Sequence, residues 1–162
     1  MKNQGDCGSC WAFAAATVQE SMQALKNDAP VVRLSEQEGV DCDNTSYGCE
    51  GGLMPNYWRM SANIGSQANE TYKYEGKDGE CRNQTGKMIE SRAKADTIQT
   101  ITGVANMKDQ IQKGPMSLAV AASGGCWQFY ESGILSGANN CPSSFDELDH
   151  GVVAVGLEES GE

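Results

Sequence analysis

Near its start the chain places two cysteines three residues apart, in Gln4-Gly5-Asp6-Cys7-Gly8-Ser9-Cys10-Trp11-Ala12-Phe13-Ala14, at the head of a long helical run. Trp11, Ala14, Ala15, Val18, Met22 and Leu25 recur at three- and four-residue spacing. They predict one apolar face from Cys10 to about Lys26, with Gln19, Glu20, Gln23 and Lys26 turned the other way. Asn27-Asp28-Ala29-Pro30 ends the run, because Pro30 disfavours helical geometry at Ala29. Cys10 then lies in the first helical turn, where unpaired N–H groups and the helix dipole stabilise negative charge. Cys7-x-x-Cys10 has three readings on these residues alone. A redox pair needs a buried strand before it, and the preceding segment is only six residues long. A zinc site needs ligands from Cys42, Cys49 or His150, whose spacings match no common pattern. A nucleophile needs an imidazole, and His150 is the one histidine in the chain.

Seven cysteines are unusual for a reduced cytosolic chain and point to an oxidising compartment. The odd count leaves at least one thiol without an internal partner. Sequons at Asn44, Asn69 and Asn83 fit secretion, although no signal peptide precedes the first cysteines. Twelve Lys and Arg against 22 Asp and Glu give a formal charge of −10. That balance argues against nucleic acid or an anionic membrane surface as partner, since both need a basic face. No run of about 18 apolar residues is present to cross a membrane.

Further along, Ser35 with Glu38 makes a capping box, so a short helix should begin at Ser35, with Gly39 weakening it by about 1 kcal/mol. Cys42 to Gly52 reads as a loop closing on Gly51-Gly52, where something approaches the backbone closely. Leu53 to about Ile64 predicts a helix, with Leu53, Tyr57, Met60 and Ile64 as its stripe and Gly65 as its stop. Residues 66–95 are polar and loop-rich. A lobe boundary falls near Asp96, where Thr97, Ile98, Thr100, Ile101 and Thr102 read as strand. A short helix is expected from about Asn106 to Gln112, then strands at Met116–Val120 and Val152–Val155. Helices first and strands second make an α+β arrangement, with a helical lobe over residues 1–95 and a β lobe over 96–162.

Gln-Gly-x-Cys-Gly-Ser-Cys-Trp-Ala-Phe resembles the active-site segment of papain-like cysteine proteases. The resemblance continues in order through Leu34-Ser35-Glu36-Gln37-Glu38, Val40-Asp41-Cys42, Cys49-Glu50-Gly51-Gly52-Leu53-Met54 and Tyr74-Glu75-Gly76 with Cys81. It then runs through Gly114-Pro115, Gln128-Phe129-Tyr130-x-x-Gly133-Ile134 and Leu148-Asp149-His150-Gly151-Val152. It implies a papain-like two-lobe fold, here a helical lobe with an incomplete β-barrel-like lobe. It implies Cys10 as nucleophile, His150 as general base and acid, and Gln4 as oxyanion donor beside the Cys10 N–H. Disulfides Cys7–Cys49 and Cys42–Cys81 are implied, as is substrate pairing along Gly51 and Gly52. Leu53, Met54, Ala119, Leu148, Asp149 and Gly151 match positions around the neighbouring subsites. The Leu53-Met54 and Leu148-Asp149 pairs look most like cathepsin L-type members, which implies an apolar residue two positions before the scissile bond.

Cys141 matches a family cysteine whose usual partner lies past Glu162, and Cys126 is extra; either the two pair with each other, the reading favoured because both fall in the same lobe, or Cys141 awaits its absent partner. Gly39 stands where the family usually has Leu, and Lys73 where it often has Pro. The family's N-terminal segment is expected ahead of Gln4. The Asn that orients the imidazole, with its shielding Trp, is expected after Glu162. No cofactor or metal is expected. Polypeptide substrates, an inhibitory propeptide or protein inhibitors are the expected partners of a monomer that is secreted, lysosomal or vacuolar. The alternative reading is a truncated, catalytically deficient fragment that at most binds peptides.

Overall fold

The computed structural model describes residues 2–82, 90–135, 141 and 144–158; Asn83 and the side chain of Cys126 lie outside the described residues. The chain runs through α1 (Cys10–Asn27), α2 (Glu36–Cys42), α3 (Met54–Ile64), α4 (Val104–Ile111), β1 (Met116–Val120), α5 (Gly125–Gln128) and β2 (His150–Ala154). Single 3-10 turns lie at Gly48–Glu50, Ala95–Thr97 and Phe145–Glu147.

The predicted α1 forms and stops where Pro30 requires. Asp28 takes a left-handed φ of 48°, and Ala29 N–H returns to Ala24 O. Its buried face is broader than the apolar stripe. Trp11, Ala12, Ala14, Ala15 and Ala16 are buried, but so are Gln19 and Glu20, which the periodicity turns outward. Distant partners explain both. Gln19 Nε2 donates to Ser61 Oγ and Ser91 Oγ, each at 2.9 Å. The Glu20 carboxylate accepts Leu34 N–H at 2.7 Å and pairs with Lys2, which also pairs with Glu36. Burial raises the Glu20 carboxyl pKa against the pull of Lys2. Leu25, expected on the apolar face, is 64% exposed.

Ser35 caps α2 by accepting Glu38 N–H at 2.9 Å. The reciprocal half of the expected box is diverted. Ser35 N–H goes to Gln67 O, and the Glu38 carboxylate takes Gln67 N–H at 2.7 Å and Gln67 Nε2 at 3.2 Å. The capping chemistry is thereby used to tie α2 to residues 66–68. α3 begins at Met54 with Pro55 in its first turn and ends at Gly65, whose φ is 77°. Trp11, Ala12, Ala15, Ala16, Leu34, Cys42, Tyr57, Met60 and Tyr72 form the core between α1, α2 and α3.

The β-branched run at 97–102 does not form a strand. Ala95–Thr97 is a 3-10 turn, and residues 98–102 pair with no neighbouring strand among the described residues. A strand needs a ladder partner, which propensity cannot supply. α4 starts at Val104, two residues ahead of the expected start, and α5 was not foreseen. The predicted strands pair antiparallel, Met116 opposite Ala154, Leu118 opposite Val152 and Val120 opposite His150. This two-stranded sheet packs against α1. No helix is long and apolar enough to cross a membrane among the described residues.

Candidate active site

The N-terminus of α1 is fixed from two sides by its own sequence. Cys7 is disulfide-bonded to Cys49, with Cα atoms 4.6 Å apart. Gly8 N–H donates to Cys49 O at 2.8 Å, and a Cβ on Gly8 would meet that oxygen at 2.5 Å, so glycine is required there. Trp11, the residue after Cys10, is wholly buried and donates its indole N–H to Gly48 O at 3.1 Å. A Cβ on Gly52 would lie 2.6 Å from the Trp11 ring. Gly51 has a φ of 122° and open space where a side chain would stand. The 48–52 turn is thereby clamped beside Cys10, with Gly51 N–H turned to Gly48 O and Gly51 O accepting Tyr47 N–H at 2.9 Å. The second expected disulfide, Cys42–Cys81, is also present.

Cys10 is the first residue of α1, half-buried, and the free cysteine among the described residues. β2 begins directly against it. Gly151 N–H donates to Cys10 Sγ at 3.3 Å, and a Cβ on Gly151 would press on Cys10 O at 3.3 Å and Met54 Sδ at 3.4 Å. Glycine at 151 is what lets the strand approach. His150, one residue earlier, is half-buried and opens β2 opposite Val120. Packing of α1 on β2 thus leaves His150 one residue along the strand from the backbone that meets Cys10. The Gly151 N–H is a donor to sulfur that sequence reasoning treated as a subsite position.

Asp149 organises the approach to His150. Its N–H donates to Val120 O at 3.1 Å. Its carboxylate accepts Ala122 N–H at 2.6 Å and Ser123 N–H at 2.9 Å. The Ala122 N–H, then Ser123, hold the Asp149 carboxyl below its ordinary pKa. The side chain is therefore committed to the turn after β1, and the backbone N–H to β1 itself. Leu148 and Leu53 are exposed, Met54 is half-buried against Gly151, and Ala119 lies exposed opposite Gly151.

Gln4 is held in place. Its Nε2 donates to Cys7 O at 3.0 Å, and its backbone O accepts Tyr74 OH at 2.8 Å. A primary amide has two N–H donors, so this bond orients the group without exhausting it. Tyr74 also lies 2.7 Å from Ser9 Oγ. Sequence reasoning saw Tyr74 as part of a motif and gave it no role; periodicity carries no signal for a contact across some 70 residues.

Cys141 is disulfide-bonded, while the side chain of its expected partner Cys126 lies outside the described residues. Asn44 is exposed and Asn69 half-buried. No group of three His, Cys, Asp or Glu residues that could hold a metal ion occurs among the described residues.

A free cysteine at a helix N-terminus, a histidine strand packed on it and an oriented amide suit nucleophilic acyl transfer. Comparison with known proteins agrees. The model for the papain family cysteine proteases matches residues 1–162. The chain is 40% identical to procathepsin L of Rattus norvegicus over 164 residues, covering 99% of this chain and 48% of that protein. It is 36% identical to caricain of Carica papaya, covering 99% of this chain and 44% of that one. The chain therefore spans less than half the length of these relatives. It superposes with a TM-score of 0.84 and 34% identity on the Carica candamarcensis cysteine protease CMS1MS2, solved in complex with E-64, covering 96% of this chain and 70% of that one.

Proposed function

Because the chain belongs to the papain family of cysteine proteases, we propose that the full-length protein is a cysteine endopeptidase with Cys10 as nucleophile and His150 as general base and acid. The observation that carries this reading is the Gly151 N–H at 3.3 Å from Cys10 Sγ, which seats the residue beside His150 directly on the nucleophile. The Cys10 thiolate attacks the scissile carbonyl. The resulting oxyanion faces the Cys10 N–H and the Gln4 amide. Collapse expels the amine, which takes its proton from His150, leaving a thioester on Cys10. His150 then takes a proton from water, the hydroxide attacks the thioester, and the thiolate is regenerated.

The reading divides the chain into lobes 1–95 and 96–162, with the cleft where α1 meets β2. The substrate lies extended along Gly51 and Gly52. Leu53, Met54, Ala119, Leu148, Asp149 and Gly151 surround the subsites and favour an apolar residue two positions before the cut. Two observed disulfides fit a secreted, lysosomal or vacuolar location. Exposed Asn44 is available for a glycan there. The partners are polypeptide substrates, an inhibitory propeptide or protein inhibitors, and the protein acts as a monomer.

Fluorogenic peptides test this. In the full-length protein, Cys10→Ala should abolish hydrolysis and His150→Ala should lower kcat by about 100-fold or more. Peptides with Leu or Phe at the second position before the cut should exceed those with Glu by about tenfold in kcat/KM. Undiminished turnover in either variant would refute the mechanism, and preference for Glu would refute the subsite assignment. A second reading is favoured by exposed apolar side chains in the β-rich half, Ile134 and Phe145 each at 84% and Val155 at 82%. On it, the 162 residues alone are catalytically deficient and at most bind peptides.

A further inference from the structure

Ser9 stands at the N-cap of α1, where a serine hydroxyl ordinarily accepts an N–H from the first turn. Here it makes no such bond. It is wholly buried and lies 2.7 Å from Tyr74 OH. The third partner fixes the direction of the protons. Tyr74 OH donates to Gln4 O at 2.8 Å, and a carbonyl cannot donate in return. A phenol has one proton, so Ser9 Oγ–H must donate to Tyr74. The other acceptor near Ser9, Cys7 O at 3.5 Å, is at the limit of a hydrogen bond. Burial raises the Tyr74 pKa, which keeps the phenol protonated and able to donate.

The relay therefore runs from Ser9 to Tyr74 to the Gln4 backbone, while the Gln4 side chain donates to Cys7 O at 3.0 Å. Gln4 is gripped at both ends. The Tyr74 ring also meets Phe13 of α1 edge-on, with centroids 4.9 Å apart. One side chain thus ties together the residue before the loop, the cap of the helix and the helix itself.

We propose that Tyr74 is a positioning residue of the active site, whose hydroxyl sets the Gln4 amide and draws the Ser9 hydroxyl off the N-terminus of α1. On this reading the Cys10 N–H and the second N–H of the Gln4 amide serve the same oxyanion. The inference rests on the reading of those two groups as the oxyanion donors. Diverting the cap costs α1 a side-chain acceptor, and Ala12 N–H turns to Ser9 O at 2.9 Å instead.

The test is Tyr74→Phe in the full-length protein, which keeps the ring against Phe13 and removes the hydroxyl. For a fluorogenic peptide, kcat should fall about tenfold while KM stays within about twofold, since the donors act mainly in the transition state. Alkylation of Cys10 by iodoacetamide, which forms no oxyanion, should keep its rate. In a Gln4→Ala background the same substitution should cost less than about twofold, because the two residues act as one unit. Equal losses in both backgrounds, or alkylation slowed in step with kcat, would overturn the proposal. So would full activity of Tyr74→Phe beside a crippled Gln4→Ala, a result that spares the oxyanion reading. Full activity of Gln4→Ala would sink that reading and the proposal together.

Discussion

Gly39 shows how a single residue can be read from sequence and still be misjudged. Inside α2 it costs about 1 kcal/mol against alanine, which makes it look like a tolerated weakness. A Cβ there would lie 2.6 Å from Tyr57 Cδ2 and 3.3 Å from Ala12 Cβ. Tyr57 is wholly buried and donates its hydroxyl to Ser35 O at 3.2 Å, so its ring is not free to retreat. Overpacking of this kind costs about 1–3 kcal/mol, which outweighs the gain in propensity. Gly39→Ala should therefore lower stability by about 1 kcal/mol, read as a lower urea midpoint; a raised midpoint would contradict the packing argument. Burial of Gln19 and Glu20 was hidden for a related reason. Their partners, Ser61, Ser91, Leu34 and Lys2, are far away in sequence, and a polar side chain on a helix face looks solvated until they are known. Cys10 and His150 stand out in the sequence because a thiol at a helix start needs an imidazole and the chain has one histidine.

At the scale of elements, the site depends on how the start of α1 is held. The Cys7–Cys49 bridge spans 42 residues. Closing a loop of that length constrains the unfolded chain by about 4 kcal/mol on the entropic account. Gly8 and Gly52 fit so closely around the same turn that the bridge also fixes local geometry. The Cys7→Ser, Cys49→Ser double variant should lose about 2–4 kcal/mol in denaturant unfolding and a larger share of peptidase activity than of Cys10 alkylation. Unchanged stability would show that packing of Trp11 alone holds the segment. α1, α2 and α3 were readable because periodicity, a cap and a glycine stop agree with their packing. The run at 97–102 was misread because β-branched composition states a preference, while a strand is made by its neighbour. The two strands form near where they were expected because His150–Ala154 finds a neighbour in Met116–Val120.

Across the whole molecule, the site is assembled from four separate stretches: 4–11, 48–54, Tyr74 and 148–151. The fold class and the order of these stretches were legible in the sequence. Their mutual approach was not, because it depends on small residues that admit a close contact and on bonds spanning 37 to 141 positions. The proposed mechanism turns on Cys10 Sγ, so the most direct measurement is which atom an active-site reagent captures. The full-length protein should be treated with a peptidyl epoxide, digested and mapped by mass spectrometry. The account predicts a single adduct on the peptide containing Cys10 and none in Cys10→Ser. An adduct on another residue, or labelling that survives in Cys10→Ser, would contradict it.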